Sequence, residues 1–242
     1  MTGPAAGRAS GLRPPAALSQ VGRVAFKPEF VELIAGRRSA LRAELAGLLA
    51  ADAAIVWEVG CGHGHFLARY AAGFPAKKCF GVDMSSPRIE RARIKAARAR
   101  LPNCHFIRAE AREFLHALPP AVTFEEIWVL FPDPWPKKRH HKNRILQADF
   151  FAAIAARARP GARLYFRTDH TGYFEAVATL LATLATWRPD PAATWPLEPE
   201  TVFQALAPSY HSLVAVRTSD PARPVETVAP GLPPPEGPRS PA

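Results

Sequence analysis

Short runs rich in β-branched and aromatic residues alternate along the chain with longer Ala/Leu/Arg-rich stretches of helical period. That alternation is the signature of βαβ units, and so of an α/β fold built on a largely parallel sheet. It predicts strands over 53–59 (AAIVWEV), 78–83 (KCFGVD), 104–109 (CHFIRA), 125–131 (EEIWVLF), 163–169 (RLYFRTD) and 210–217 (YHSLVAVR). Helices are predicted over 37–50, 64–73, 86–100, 110–118, 145–158 and 172–186. Residues 1–20 are rich in Gly, Pro and Ala, and residues 219–242 carry eight prolines. Neither end has the apolar periodicity that offsets ordering entropy, so both are expected to be disordered tails around one domain spanning 21–218. No internal repeat is present.

Composition narrows the class of partner. The 242 residues are 48% hydrophobic, enough for one sizeable core, yet the formal charge is +10 and the isoelectric point lies near 10.1. Such a balance favours polyanionic partners, with nucleic acid ahead of a membrane surface; a basic but otherwise ordinary enzyme is the alternative. The three cysteines (Cys61, Cys79, Cys104) have no metal-like spacing and an odd count, which argues against a disulfide framework and for core positions in a reducing cytoplasm. No metal site is expected. With no signal-like apolar stretch near the start and no run of 18 apolar residues anywhere, neither export nor a membrane span is expected.

Open α/β sheets take their ligands at the carboxyl ends of the strands. In this chain those ends carry Glu58 with Gly60, Asp83, Glu110, Asp133 and Asp169. Capping of the following helix is the competing use for each carboxylate. The segment EVGCGHG (58–64) leaves a strand and enters a helix, where glycines let backbone approach a nucleotide closely. Gly60, Gly62 and Gly64 do not fall in the dinucleotide register G-x-G-x-x-G, so a cofactor without a pyrophosphate fits better. Glu58 would repel phosphates yet suits the ammonium and sulfonium charges of S-adenosylmethionine. Asp83 is placed for ribose hydroxyls, a role shared with nicotinamide enzymes. Glu110 can serve the adenine end of a cofactor or the start of a helix.

The most specific stretch is FPDPWPKKRHHKNRI (131–145), where Asp133 sits between two prolines and a Trp and is followed by a run of cations. The prolines fix φ at two positions and limit the loop. Trp135 can stack on a base or seal the sheet edge. Lys137, Lys138, Arg139, Lys142 and Arg144 form a phosphate-binding run, and Arg88, Arg91, Lys95 and Arg98 either extend it or make a solvated helix face.

From about Val21 to Arg217 the sequence resembles the bacterial tRNA (guanine-N7)-methyltransferases. EVGCGHG is similar to their first methyl-donor motif, GVDMS to the second, FPDPWPKKRHHKNRI to the family signature, and YFRTDHTGYFE (165–175) to the segment bearing a second aspartate. The resemblance implies a Rossmann-like class I methyltransferase fold, a mostly parallel seven-stranded sheet with a reversed final strand and helices on both faces. It implies cofactor contacts at Glu58, Gly60, Gly62, Gly64, Asp83, Glu110 and Asp133, with Asp133 also catalytic. Substrate contacts are implied at Lys137, Asp169, Thr201, Val202, Phe203 and Gln204. Where family members usually have Thr-x-Phe-Glu followed by basic residues, this chain has TVFQALAPSY (201–210).

The implied activity is methyl transfer from S-adenosylmethionine to N7 of a guanine in the tRNA variable loop, by a monomer or a homodimer. Guanine N7 has an in-plane lone pair and attacks without first losing a proton, so positioning and negative potential matter more than a strong base. Asp169 or Gln204 can accept from the N1–H and amino group of an extruded guanine. Two other readings compete: a methyltransferase-like RNA-binding protein without turnover, motivated by TVFQ, and a nicotinamide dehydrogenase, disfavoured by the glycine spacing.

Overall fold

The computed structural model describes residues 28–197 and 209–220. The expected N-terminal tail, nearly all of the C-terminal one and residues 201–204 lie outside that range. The chain divides into two compact units, Met1–Gly36 and Arg37–Ala242. The first is described only through the opening turns of helix α1 (Pro28–Leu48). The second holds the rest of that helix and the sheet.

The described strands are β1 (Ala54–Val59), β2 (Lys78–Asp83), β3 (Cys104–Arg108), β4 (Thr123–Leu130), β5 (Ala158–Thr168), β6 (Trp187–Pro189) and β7 (His211–Arg217). Between them run α2 (His65–Gly73), α3 (Ser86–Arg98), α4 (Ala111–Ala117), α5 (Ala148–Ala155) and α6 (Thr171–Leu181). The seven strands lie in the order β3-β2-β1-β4-β5-β7-β6. All pairings from β3 to β5 are parallel, and β7 runs antiparallel to both β5 and β6. The strand order reverses between β1 and β4, which opens a crevice above their carboxyl ends.

Alternation along each strand divides the core in two. Ile55, Trp57, Val59, Phe80, Val82, Ile127, Val129 and Phe166 join buried residues of α1, α4, α5 and α6 on one face. There Trp57 packs on Phe114 and stacks on Phe124, with centroids 5.2 and 5.1 Å away. Val56, Cys79, Phe106, Trp128 and Tyr165 meet α2 and α3 on the other, where Trp128 stacks on Tyr165 at 3.8 Å. The buried Glu126 on this second face accepts hydrogen bonds from Tyr70 Oη and Trp128 Nε1 and pairs with Lys77. A buried charge is tolerated only with such partners.

Several boundaries differ from the sequence expectation. Helix α1 begins at Pro28, nine residues before the expected 37. Helix α5 covers 148–155 and not 145–158, because residues 138–143 form a 3₁₀ turn and Arg144 is buried. Strand β5 starts at Ala158, pairing with Phe124 ahead of a bulge. The helix expected to 186 stops at Leu181, and the three-residue β6, too short and too proline-bearing to read as a strand, follows it.

Candidate functional site

The glycine loop leaves β1 at the switch point. Gly60 N–H and Cys61 N–H both donate to the Val82 carbonyl, at 2.8 and 3.0 Å, and Gly64 N–H donates to Cys61 O at 2.9 Å. This folding back needs left-handed backbone at Gly60, Gly62 and Gly64 (φ 72°, 53° and 67°), which residues with a Cβ rarely adopt. The three glycines are not equivalent. A Cβ at Gly60 or Gly62 would meet nothing within 4 Å, whereas at Gly64 it would lie 2.5 Å from Phe106 Cζ and 2.8 Å from Ala92 Cβ. Gly60 and Gly62 therefore border open space, and Gly64 allows α2 to start close against β3 and α3.

Asp83, at the end of β2, holds the loop. Its Oδ2 accepts from Gly62 N–H at 3.0 Å and its Oδ1 from Ser85 N–H at 2.8 Å, and Arg88 approaches Oδ2 at 3.9 Å. Glu58 pairs in register with Gly81 of β2 and Trp128 of β4 and lies next to Leu67 of α2 and Lys95 of α3, on the sheet face that these helices cover. It is 4% exposed, and Oε2 has no hydrogen-bond partner among the described residues. Burial pushes its pKa up to about 8; the Leu67 backbone N–H and Lys95 pull the other way, while the Asp83 charge adds to the rise. Lys95 Nζ also donates to the His63 carbonyl at 3.0 Å, which ties α3 to the glycine loop.

Glu110 caps a helix through one of its two oxygens. It is the N-cap of α4, and its Oε2 accepts from the N–H groups of Arg112 and Glu113 at 2.8 and 3.0 Å. Burial raises its pKa, opposed by those same two donors.

Beyond β4, the Asp133 loop is fixed by backbone geometry. Leu130 pairs with Arg167 of β5, and Phe131 N–H donates to the Arg167 carbonyl at 2.8 Å. Asp133 and Asp169 thus leave the ends of two neighbouring parallel strands, and both are exposed. Phe131 (φ 47°) and Trp135 (φ 43°) are left-handed on either side of Asp133. Bulky residues persist in that region only when their surroundings hold them there. Trp135 packs edge-on against His140, with centroids 5.8 Å apart, so it rests on the 3₁₀ turn that follows. Lys137 caps that turn and is exposed, as are Lys138, Arg139 and Lys142.

Arg144 departs from the phosphate-binding role expected of it. It is 3% exposed; Nε donates to Pro134 O at 2.8 Å, Nη1 to Gly172 O at 3.4 Å, and the guanidinium lies 4.7 Å from the centre of the Tyr173 ring. One cation entering the apolar pair Ile145-Leu146 was the sole sequence signal for this. Two cations of α3 have local partners of their own: Arg91 reaches His63 Nε2 at 3.4 Å and Arg93 pairs with Glu44 at 2.9 Å. The expected contacts at Thr201, Val202, Phe203 and Gln204 lie outside the described residues. Among the described residues no His/Cys/Asp/Glu cluster is arranged to hold a metal, and no helix is long and apolar enough to cross a membrane.

The arrangement fits a cationic nucleoside ligand: an orphaned buried carboxylate oxygen at Glu58 and, in the same loop, two glycines facing open space. The model of a family described as "Putative methyltransferase" matches residues 52–206. Curated tRNA (guanine-N(7)-)-methyltransferases are similar to the chain: that of Nocardia farcinica is 38% identical over 129 residues, 53% of this chain and 48% of the relative. The Halorhodospira halophila protein of the same name is 36% identical over 132 residues (54% and 57%), and that of Mycobacterium avium 34% over 166 (67% and 64%). The chain spans about half the length of the first of these relatives. Among solved structures, an antibiotic-related methyltransferase shares the fold with a TM-score of 0.50 at 19% identity, over 72% of this chain and 92% of that one.

Proposed function

The chain belongs to this methyltransferase family, and on that premise we propose that it transfers a methyl group from S-adenosylmethionine to N7 of a guanine in the variable loop of tRNA. The observation that carries the reading is the placement, at the carboxyl ends of β1 and β4, of the buried Glu58, whose Oε2 has no partner among the described residues, and of an exposed Asp133 in a loop flanked by two left-handed residues. S-adenosylmethionine supplies an electrophilic methyl on a positively charged sulfur. Glu58 offers negative potential to the cationic end of this donor, and Gly60 and Gly62 leave room for its approach. Asp83, already bonded to Gly62, keeps the loop in register beside the ribose position.

Guanine N7 needs no proton removed before it attacks, so Asp133 acts by charge and position: its carboxylate stabilises the positive charge that moves onto the purine. Asp169, on the adjacent strand end, is placed to accept from the donor edge of the base; Gln204, outside the described residues, is the other candidate acceptor. Lys137, Lys138, Arg139 and Lys142 neutralise phosphates on either side of the target. Glu110 acts behind the site by fixing the start of α4. The setting for this chemistry is the cytoplasm, where tRNA is the polyanion matching the +10 charge.

Nucleoside analysis of unmodified tRNA after incubation with the protein and labelled S-adenosylmethionine tests the reading. The expected product is 7-methylguanosine at a single variable-loop position. Label on another nucleoside refutes the substrate assignment. Tight tRNA binding without label returns the RNA-binding alternative.

A further inference from the structure

Asp133 stands in a segment without regular structure between two left-handed residues, and something must hold it. The Arg144 side chain bonds to the backbone of that segment, through Nε to the carbonyl of Pro134, the next residue after Asp133. The same guanidinium reaches the carbonyl of Gly172, three residues after Asp169, and covers the Tyr173 ring. Tyr173 closes the circuit: its hydroxyl accepts from Leu146 N–H at 3.1 Å, and its own N–H donates to His170 Nδ1 at 3.1 Å. One planar cation therefore bridges the loops that carry the two carboxylates.

We propose that Arg144 is a positioning residue that locks the Asp133 loop to the Asp169–Gly172 turn and so sets the spacing of the two carboxylates. The inference rests on the functional reading above for what those carboxylates do, but not for the lock itself. Arg suits the task because its rigid fork holds two carbonyls in different directions while its flat face lies on an aromatic ring; a Lys ammonium on a flexible stem does not reproduce that geometry. Burial of the group to 3% exposure, with Nη2 lacking a partner among the described residues, separates it from the exposed Lys137–Arg139 run and from contact with solvent-borne phosphate.

Two measurements test this on the full chain. The first compares trypsin nicking after Lys137, Lys138 and Arg139 in wild type and Arg144→Lys, which needs no enzymatic activity. Release of the lock is expected to speed nicking there about tenfold while other sites are cleaved at unchanged rates; equal rates overturn the proposal. The second takes kcat and KM separately for wild type, Arg144→Lys and Arg144→Ala. A displaced Asp133 is expected to lower kcat about 10²-fold in both variants, the scale of a misplacement near 1 Å, with KM for the methyl donor within about twofold. Millimolar guanidinium is expected to restore at least tenfold of the loss in Arg144→Ala. A raised KM for tRNA with unchanged kcat makes Arg144 an RNA contact and overturns the proposal. So does failure of Arg144→Lys to fold, which makes it a residue of general stability. Wild-type protein that methylates no tRNA refutes the functional reading instead, and the nicking rates still decide the lock.

Discussion

Replacing Glu58 by Gln removes a titration that the fold has displaced from 4.5 to about 8. In the unfolded chain the carboxyl loses its proton near its ordinary value, whereas in the folded protein burial keeps the proton on. Between those two values the folded state binds the extra proton, so stability falls as pH rises, by about 1.4 kcal/mol per unit. From pH 5 to pH 8 the wild type should lose about 4 kcal/mol relative to Glu58→Gln, and the loss is complete above pH 8. Asp83 and Lys95 face the same group with opposite signs, the Asp83 charge adding to the rise and Lys95 opposing it. The Gln amide brings a cost of its own, about 1–3 kcal/mol independent of pH, because one of its ends occupies the place where Oε2 has no partner. The variant is therefore the less stable protein at pH 5 and gains steadily on wild type toward pH 8. Urea midpoints of both proteins at pH 5, 6, 7 and 8 measure the difference in slope. Parallel stability curves would refute the argument, since they require Glu58 to be ionised in the folded state throughout.

The same burial makes methyl-donor binding release a proton near pH 7, because a cationic ligand favours the ionised carboxylate; calorimetry in buffers of different ionisation enthalpy reads the release, and Glu58→Gln should abolish it. Asp133→Ala should lower methyl transfer about 10²–10⁴-fold in single-turnover assays with folding intact, and a near wild-type rate removes it from the chemistry. Alanine at Lys137, Lys138 and Arg139 together should flatten the salt dependence of tRNA binding by roughly 0.7–0.9 in logarithmic slope per lost phosphate contact, leaving donor affinity unchanged; an unaltered slope places the RNA elsewhere. Gly60→Ala and Gly64→Ala should both cost about 1–2 kcal/mol of left-handed backbone strain in urea unfolding, and Gly64→Ala about 1–3 kcal/mol more, since its methyl would fall 2.5 Å from Phe106; Gly60→Ala, which borders open space, should also weaken donor binding.

The parallel part of the sheet was legible because its strands carry β-branched runs buried on both faces, and the helices between them have clear period. Strand β6 was not, since Trp187-Arg188-Pro189 acquires its pairing only from β7, residues away in sequence. At the site, the carboxylate positions at strand ends could be read, but their uses could not. Glu110 and Asp83 spend oxygens on backbone N–H groups, a matter of side-chain direction that spacing leaves open. Gly64 looked like Gly60 and Gly62 in the motif, and only the position of Phe106 sets it apart. Arg144 stood in a run of cations, and charge alone does not reveal which member of a run turns inward.

The three cysteines turn this architecture into a chemical clock. Cys61 lies in the glycine loop, Cys79 and Cys104 are register partners on β2 and β3, and all are buried, reduced and raised in pKa by burial. A disulfide reagent attacks thiolates, so it modifies none of them until the overlying helices open. The rate at which each sulfur is trapped then reports how often its own patch of the fold breathes. A ligand seated against the glycine loop should slow trapping at Cys61 selectively, giving a binding signal that requires no turnover, no label and no RNA.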